Sequence, residues 1–88
     1  MFKIGDRVHW WSAAGGGRTT KNGEIVAIVP PGKNFRLVEK ELAKTHKFRS
    51  AYGGGNRRAH ESFVVLVPPA KGNIPMLYWP RVSALRKT

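Results

Sequence analysis

Two apolar runs, Ile25-Val26-Ala27-Ile28-Val29 and Phe63-Val64-Val65-Leu66-Val67, are each stopped by a Pro-Pro pair, Pro30-Pro31 and Pro68-Pro69. Each run is short, rich in β-branched residues and closed by residues that cannot donate to a sheet ladder, so both predict buried strands. Shared stop chemistry accounts for their likeness without a duplication.

The rest of the chain reads around these two. After the Gly5-Asp6 turn signal, Arg7-Val8-His9-Trp10-Trp11 alternates with a two-residue period, which places Val8 and Trp10 on one face of a strand and Trp11 on the other. Ser12 to Asn22 is polar, contains Gly15-Gly16-Gly17 and predicts a long loop. Ile74 to Trp79 predicts a last strand broken at Pro80, with Tyr78 and Trp79 facing opposite sides, and Val82 to Leu85 a turn of 3₁₀ or α helix. Between the second and third main strands, Arg36 to Lys47 spaces Leu37, Val38 and Leu42 about a helical turn apart, which suits a short helix without a clear N-cap. Thr45 to Ala59 has no sustained periodicity and predicts a loop long enough to be functional or disordered.

That loop carries the strongest functional signal. From Leu42 to His60 there is no carboxylate, while Lys44, Lys47, Arg49, Arg57 and Arg58 are interleaved with Phe48, Tyr52 and Gly53-Gly54-Gly55. The whole chain leans the same way, with 16 Lys and Arg against 5 Asp and Glu and a net charge of +11 over 88 residues. A field of one sign over so small a surface calls for a polyanionic partner. The 41% hydrophobic content and three Trp separate the chain from disordered polycations and support one small core.

Several chemistries find no support. There is no Cys, hence no disulfide, thiolate metal site or cysteine nucleophile, and the composition suits a reducing, cytoplasmic setting. No apolar run is long enough for a signal peptide or membrane span, so no membrane partner is expected. His60-Glu61 opens like a zinc-protease motif but Val64 stands where the second histidine belongs, and His9, His46 and His60 lack ligand spacing. Neither triple-glycine run has dinucleotide or Walker A spacing; Gly32-Lys33 is followed by Asn34. The five acids are scattered and no serine sits in a nucleophile elbow, so no catalytic site, cofactor or metal is expected.

Ile4-Gly5-Asp6-Arg7-Val8-His9-Trp10 at the start, Gly23-Glu24-Ile25-Val26, and Pro80-Arg81-Val82-Ser83-Ala84-Leu85-Arg86-Lys87 at the end resemble small SH3-like or Tudor-type barrels, above all the bacterial hypervirulence-associated Tudor-like domains. The segment from Pro31 to Ala59 departs from that pattern. The same opening is similar to type II dihydrofolate reductase barrels, whose pore uses a Gln-Ile-Tyr strand; here Met76-Leu77-Tyr78 puts a thioether where the resemblance requires amide hydrogen bonds, so that activity is not expected.

The resulting expectation is an all-β fold, one SH3-like barrel spanning residues 1–88 with a basic insertion at 31–60 able to hold a short helix. Its expected function is that of a non-catalytic nucleic-acid-binding module, DNA or RNA, in which Lys44, Lys47, Arg49, Arg57 and Arg58 contact phosphate, Tyr52 stacks and Gly54 lets the loop follow the backbone. The alternative is a protein-interaction domain that docks an acidic protein.

Overall fold

The computed structural model describes residues 2–14, 17–50, 58–69 and 72–88. Six strands and two helical segments follow one another as β1 (Arg7–Ala14), β2 (Gly17–Val29), α1 (Phe35–Leu42), β3 (Arg49–Ser50), β4 (Ser62–Val67), β5 (Met76–Tyr78), a 3₁₀ turn (Val82–Ala84) and β6 (Arg86–Lys87). They form one sheet in the order β3-β5-β4-β2-β1-β6, antiparallel throughout except for the parallel β3/β5 pair.

β4 explains the architecture. Its side chains alternate between two apolar clusters: Phe63 and Val65 pack with Val8, Trp10, Ile25 and Leu85, whereas Val64 packs with Val29, Phe35, Leu42, Leu77 and Trp79. A strand buried on both faces reads as a continuous apolar run rather than an alternating one, as Phe63–Val67 does. β2 serves both clusters as well. A bulge between Ile25 and Ala27 lets the adjacent Val26 and Ala27 both lean on the second cluster before Ile28 returns to the first and Val29 to the second.

These two opposed clusters overturn the expected SH3-like or Tudor-type barrel. In place of a closed all-β wall around one interior, the chain builds a mixed α/β fold: an open six-stranded sheet with helix α1 over one face and the 3₁₀ turn, Leu85 and Phe2 over the other. Among the described residues the edge strands β3 and β6 do not pair with each other, and each is two residues long. The shared opening and closing motifs therefore mark a strand start and a 3₁₀ turn, and carry no closure with them.

The helix within the expected insertion is real, and it begins earlier than its apolar spacing suggests. Asn34 is its N-cap, its Oδ1 accepting from the Arg36 N–H at 2.9 Å. Phe35 and Leu42 are buried and Val38 is half-buried, the i, i+3, i+7 stripe of one helix face, while Leu37 is 63% exposed. Burying Phe35 and Leu42 contributes roughly 1.5–3 kcal/mol each.

Of Ser12 to Asn22, expected as a loop, 12–14 and 17–22 are paired arms of β1 and β2. β1 and β2 pair from Arg7↔Glu24 to Ala14↔Gly17. β6 meets β1 only at Val8 and His9, and β4 meets β2 only from Glu24 onward. Beyond those points the two strands pair only with each other among the described residues. Gly23 sits where this ribbon leaves the sheet: a Cβ there would lie 2.5 Å from the Leu66 carbonyl oxygen and 2.7 Å from Val65 Cγ1. Only glycine permits so close a crossing over β4.

Candidate nucleic-acid interface

The basic segment begins at the C-terminal end of α1. Ala43 N–H donates to the Glu39 carbonyl, His46 N–H to that of Leu42 at 2.8 Å, and the Thr45 hydroxyl and Nδ1 of His46 lie 2.9 Å apart. Lys40 in the last turn and Lys44 just beyond it complement the negative pole of the helix. Lys44 also pairs with Glu41 at 3.1 Å, but both side chains are about two-thirds or more exposed (67% and 74%), so the pair is weakly held and open to a competing anion.

Past the helix, exposure alternates across Lys47, Phe48 and Arg49. Phe48 packs against the second apolar cluster, while its neighbours Lys47 and Arg49 are exposed. The Arg49 N–H donates to the Pro75 carbonyl at 2.9 Å, and β3 registers Arg49 against Met76 and Ser50 against Leu77. Phe48 and this ladder set two cations two residues apart on the solvent side of the sheet edge. No carboxylate lies between Leu42 and Arg49.

Arg58 is placed differently. Its guanidinium carbon lies 3.7 Å from the centroid of the Trp79 indole, while Nη1 and Nη2 each donate at 2.9 Å to the carbonyls of Pro80 and Trp79. The other face of this arrangement is equally filled: Phe35 stacks on Trp79 at 5.2 Å with planes 15° apart, and Trp79 Nε1 donates to the buried Ser62 Oγ at 2.7 Å. The Arg58 carbonyl accepts from Gly32 N–H at 2.7 Å, at a glycine whose φ of +75° suits no side chain well. Arg58 thus ties the Pro31-Gly32 turn, the end of β5 and the helix anchor Phe35 into one unit.

Of the seven residues expected at the interface, the structure brings Lys44, Lys47 and Arg49 together along one exposed segment and sets Arg58 in the packing around Trp79. Tyr52, Gly54 and Arg57 lie outside the described residues. One feature was not singled out for the interface by sequence reasoning. Arg36 and Lys40 are exposed on the outer side of α1, adding to the cationic surface. Trp11 is 52% exposed on β1, with the His9 ring edge-on at 6.4 Å; the alternation that buries Trp10 already turns its neighbour outward.

Two concavities flank this region. One, of about 410 Å³, sets Arg7, Glu24 and His46 beside Val26, Leu66 and three prolines. The other, of about 550 Å³, is an apolar groove between α1 and β2 where Ile4 and Leu37 stand exposed. Among the described residues no three His, Asp or Glu side chains gather where they could hold a metal ion, and no helix is long and apolar enough to cross a membrane.

No family model matches the chain, nor does any curated protein or solved structure. The class the geometry defines is a small open-sheet α/β module with a cationic edge.

Proposed function

We propose that this protein is a non-catalytic nucleic-acid-binding module of the cytoplasm whose cationic edge, from Lys44 through Arg49, contacts backbone phosphates. The observation that carries the reading is the pair Lys47 and Arg49, turned to solvent by the inward Phe48 and held by the β3/β5 ladder, in a segment without a carboxylate. Preplaced cations of this kind neutralise phosphates without a large ordering cost and read no base sequence. Tyr52, Gly54 and Arg57, which lie outside the described residues, are included in the proposal on the grounds of their chemistry in sequence. The cytoplasmic setting rests on the cysteine-free composition.

The test is a fluorescence-anisotropy titration of labelled duplex DNA, single-stranded DNA and RNA at about 50 and 200 mM salt. Saturable binding that weakens steeply with salt is expected. No binding to any of the three at the lower salt rules the reading out.

A second reading has one observation in its favour. The groove between Ile4 and Leu37, with Lys33 at its rim, offers an exposed apolar surface on a strongly cationic protein, which suits an acidic protein segment with apolar anchors.

A further inference from the structure

We propose that the free edge of β2 at residues 26–29 takes up an extended, acidic protein segment as an added strand, with alternate apolar side chains of that segment seated in the groove between β2 and α1. This inference rests on the second reading above, to which it gives a binding mode, and is independent of the phosphate edge.

β1 covers β2 only as far as Arg7↔Glu24, and one step further the Ile25 N–H donates to the Asp6 carbonyl at 3.0 Å while the Ile25 carbonyl accepts from Gly5 N–H at 2.8 Å. There the chain leaves the lane beside β2. The Asp6 N–H donates to the Lys3 carbonyl across a turn at residues 3–6, with Gly5 at a φ of +97°. On its other side β2 stays paired with β4 as far as Val29↔Ser62. Backbone groups of successive residues in an antiparallel ladder point to opposite sides. Leu66, Val64 and Ser62 of β4 point the same way and register with Glu24, Ala27 and Val29, so these three face β4. Ile28, like Ile25, therefore turns its N–H and C=O to the side that β1 has vacated. Among the described residues nothing pairs with them there. The open edge runs for roughly 13 Å, room for about four residues of an incoming strand, before the proline pair ends it.

The apolar groove lies along the same residues. Val26, Ala27 and Ile28 form its β2 wall, Leu37 and Val38 its α1 wall, and Ile4 lines it as well. Ile4 is 59% exposed and Leu37 63%, so both gain from burial under the side chains of an added strand. Such a strand meets two needs at once: its main chain pairs with Ile28, and its alternate side chains fill the groove and set the selectivity. Charge chooses the occupant. Lys33 at the rim is exposed, and Glu41, the one acid among the described lining residues, pairs with Lys44 at 3.1 Å. A second copy of this chain would bring a further net charge of +11 to the contact, whereas an acidic segment neutralises the charge it meets.

The experiment uses the full chain and a short synthetic peptide in which Val or Ile alternates with Asp or Glu, beside a copy with the same composition scrambled and copies N-methylated at one backbone amide each. Hydrogen exchange of ¹⁵N-labelled protein reports on the Ile28 amide, and titration gives Kd for wild type, Ile4→Ser and Leu37→Ser, both at exposed positions that the fold can spare. The alternating peptide is expected to bind more tightly than its scrambled copy and to slow Ile28 exchange by about tenfold or more. One N-methylated copy should bind about 2- to 10-fold more weakly through the lost ladder bond, and each serine variant about 5- to 10-fold more weakly. Binding that falls with Leu37→Ser while the Ile28 amide exchanges as in the free protein overturns the added strand and leaves the second reading in place. A peptide that does not bind at low salt, or that binds no better than its scrambled copy and is indifferent to Leu37→Ser, overturns both. Ile28 protection that rises with protein concentration in the absence of peptide assigns the edge to a second copy and overturns the acidic occupant.

Discussion

The guanidinium of Arg58 lies face-on to the indole of Trp79, 3.7 Å from its centroid, and donates to the carbonyls of Trp79 and Pro80. A cation that in sequence is indistinguishable from its neighbour Arg57 is thereby part of the packing around the second apolar cluster. Arg58→Ala is expected to destabilise the fold by about 2 kcal/mol, through the lost cation–π contact and two charged hydrogen bonds. Arg58→Lys should recover little, since an ammonium cannot both stack and fork. Urea unfolding followed by tryptophan emission measures this. An Arg58→Ala variant with wild-type stability contradicts the clamp.

Behind the same indole, Ser62 Oγ accepts from Trp79 Nε1 inside the core. Ser62→Ala removes that acceptor without a large change of volume and is expected to cost about 1–2 kcal/mol, with a shifted Trp79 emission maximum as its spectroscopic trace.

Gly23 is predicted to be intolerant of any side chain. A methyl group would meet the Leu66 carbonyl, which belongs to the β4 ladder and cannot move aside. Gly23→Ala should therefore destabilise by about 1–3 kcal/mol, read as a lowered Tm. Gly72→Ala is a useful contrast, because a Cβ there meets nothing within 4 Å and only its φ of +85° resists the change.

Asp6 joins the two ends of the chain. Its Oδ2 accepts from Lys3 N–H at 3.0 Å and lies 3.4 Å from Lys87 Nζ. The Lys3 backbone hydrogen bond, aided by the charge of Lys87 and partly opposed by desolvation, holds its carboxyl below the ordinary value of 3.8. A depressed folded value means that the stabilisation is fully present above 3.8 and is lost as pH falls through the lower folded value. Asp6→Asn should be less stable than wild type at neutral pH, and the gap should close only under that acidity. Paired urea titrations down a pH series measure it.

Much of this fold was legible locally. The β-branched runs ended by Pro-Pro are β4 and the distal half of β2, the inward Trp10 and outward Trp11 follow from alternation, and the turn at Val82 is present. The paired arms 12–14 and 17–22 are hidden in the sequence because a ribbon that pairs mainly with itself needs no apolar alternation, and a polar, glycine-rich stretch imitates a loop. Asn34 is hard to read as a cap because the Pro30-Pro31-Gly32 turn signal stands just before it, and without the cap Phe35 does not stand out as the helix anchor. Whether a sheet closes is decided by contacts between its edge strands. β3 and β6 are two residues each and are created by long-range pairing with β5 and β1, which no local pattern encodes. The same limit applies to the site: charge density marks where the cations cluster, whereas Phe48 and Trp79 decide which of them face solvent.

The most direct test of the central claim is the salt dependence of duplex DNA binding in wild type and in Lys47→Ala/Arg49→Ala. For about four to six phosphate contacts, log Kobs should fall with log salt at a slope of roughly −4 to −5, and loss of two contacts should make the slope shallower by about 2. A double variant that binds with the wild-type slope, or a wild type that binds no nucleic acid at low salt, contradicts the assignment of this edge to phosphate recognition.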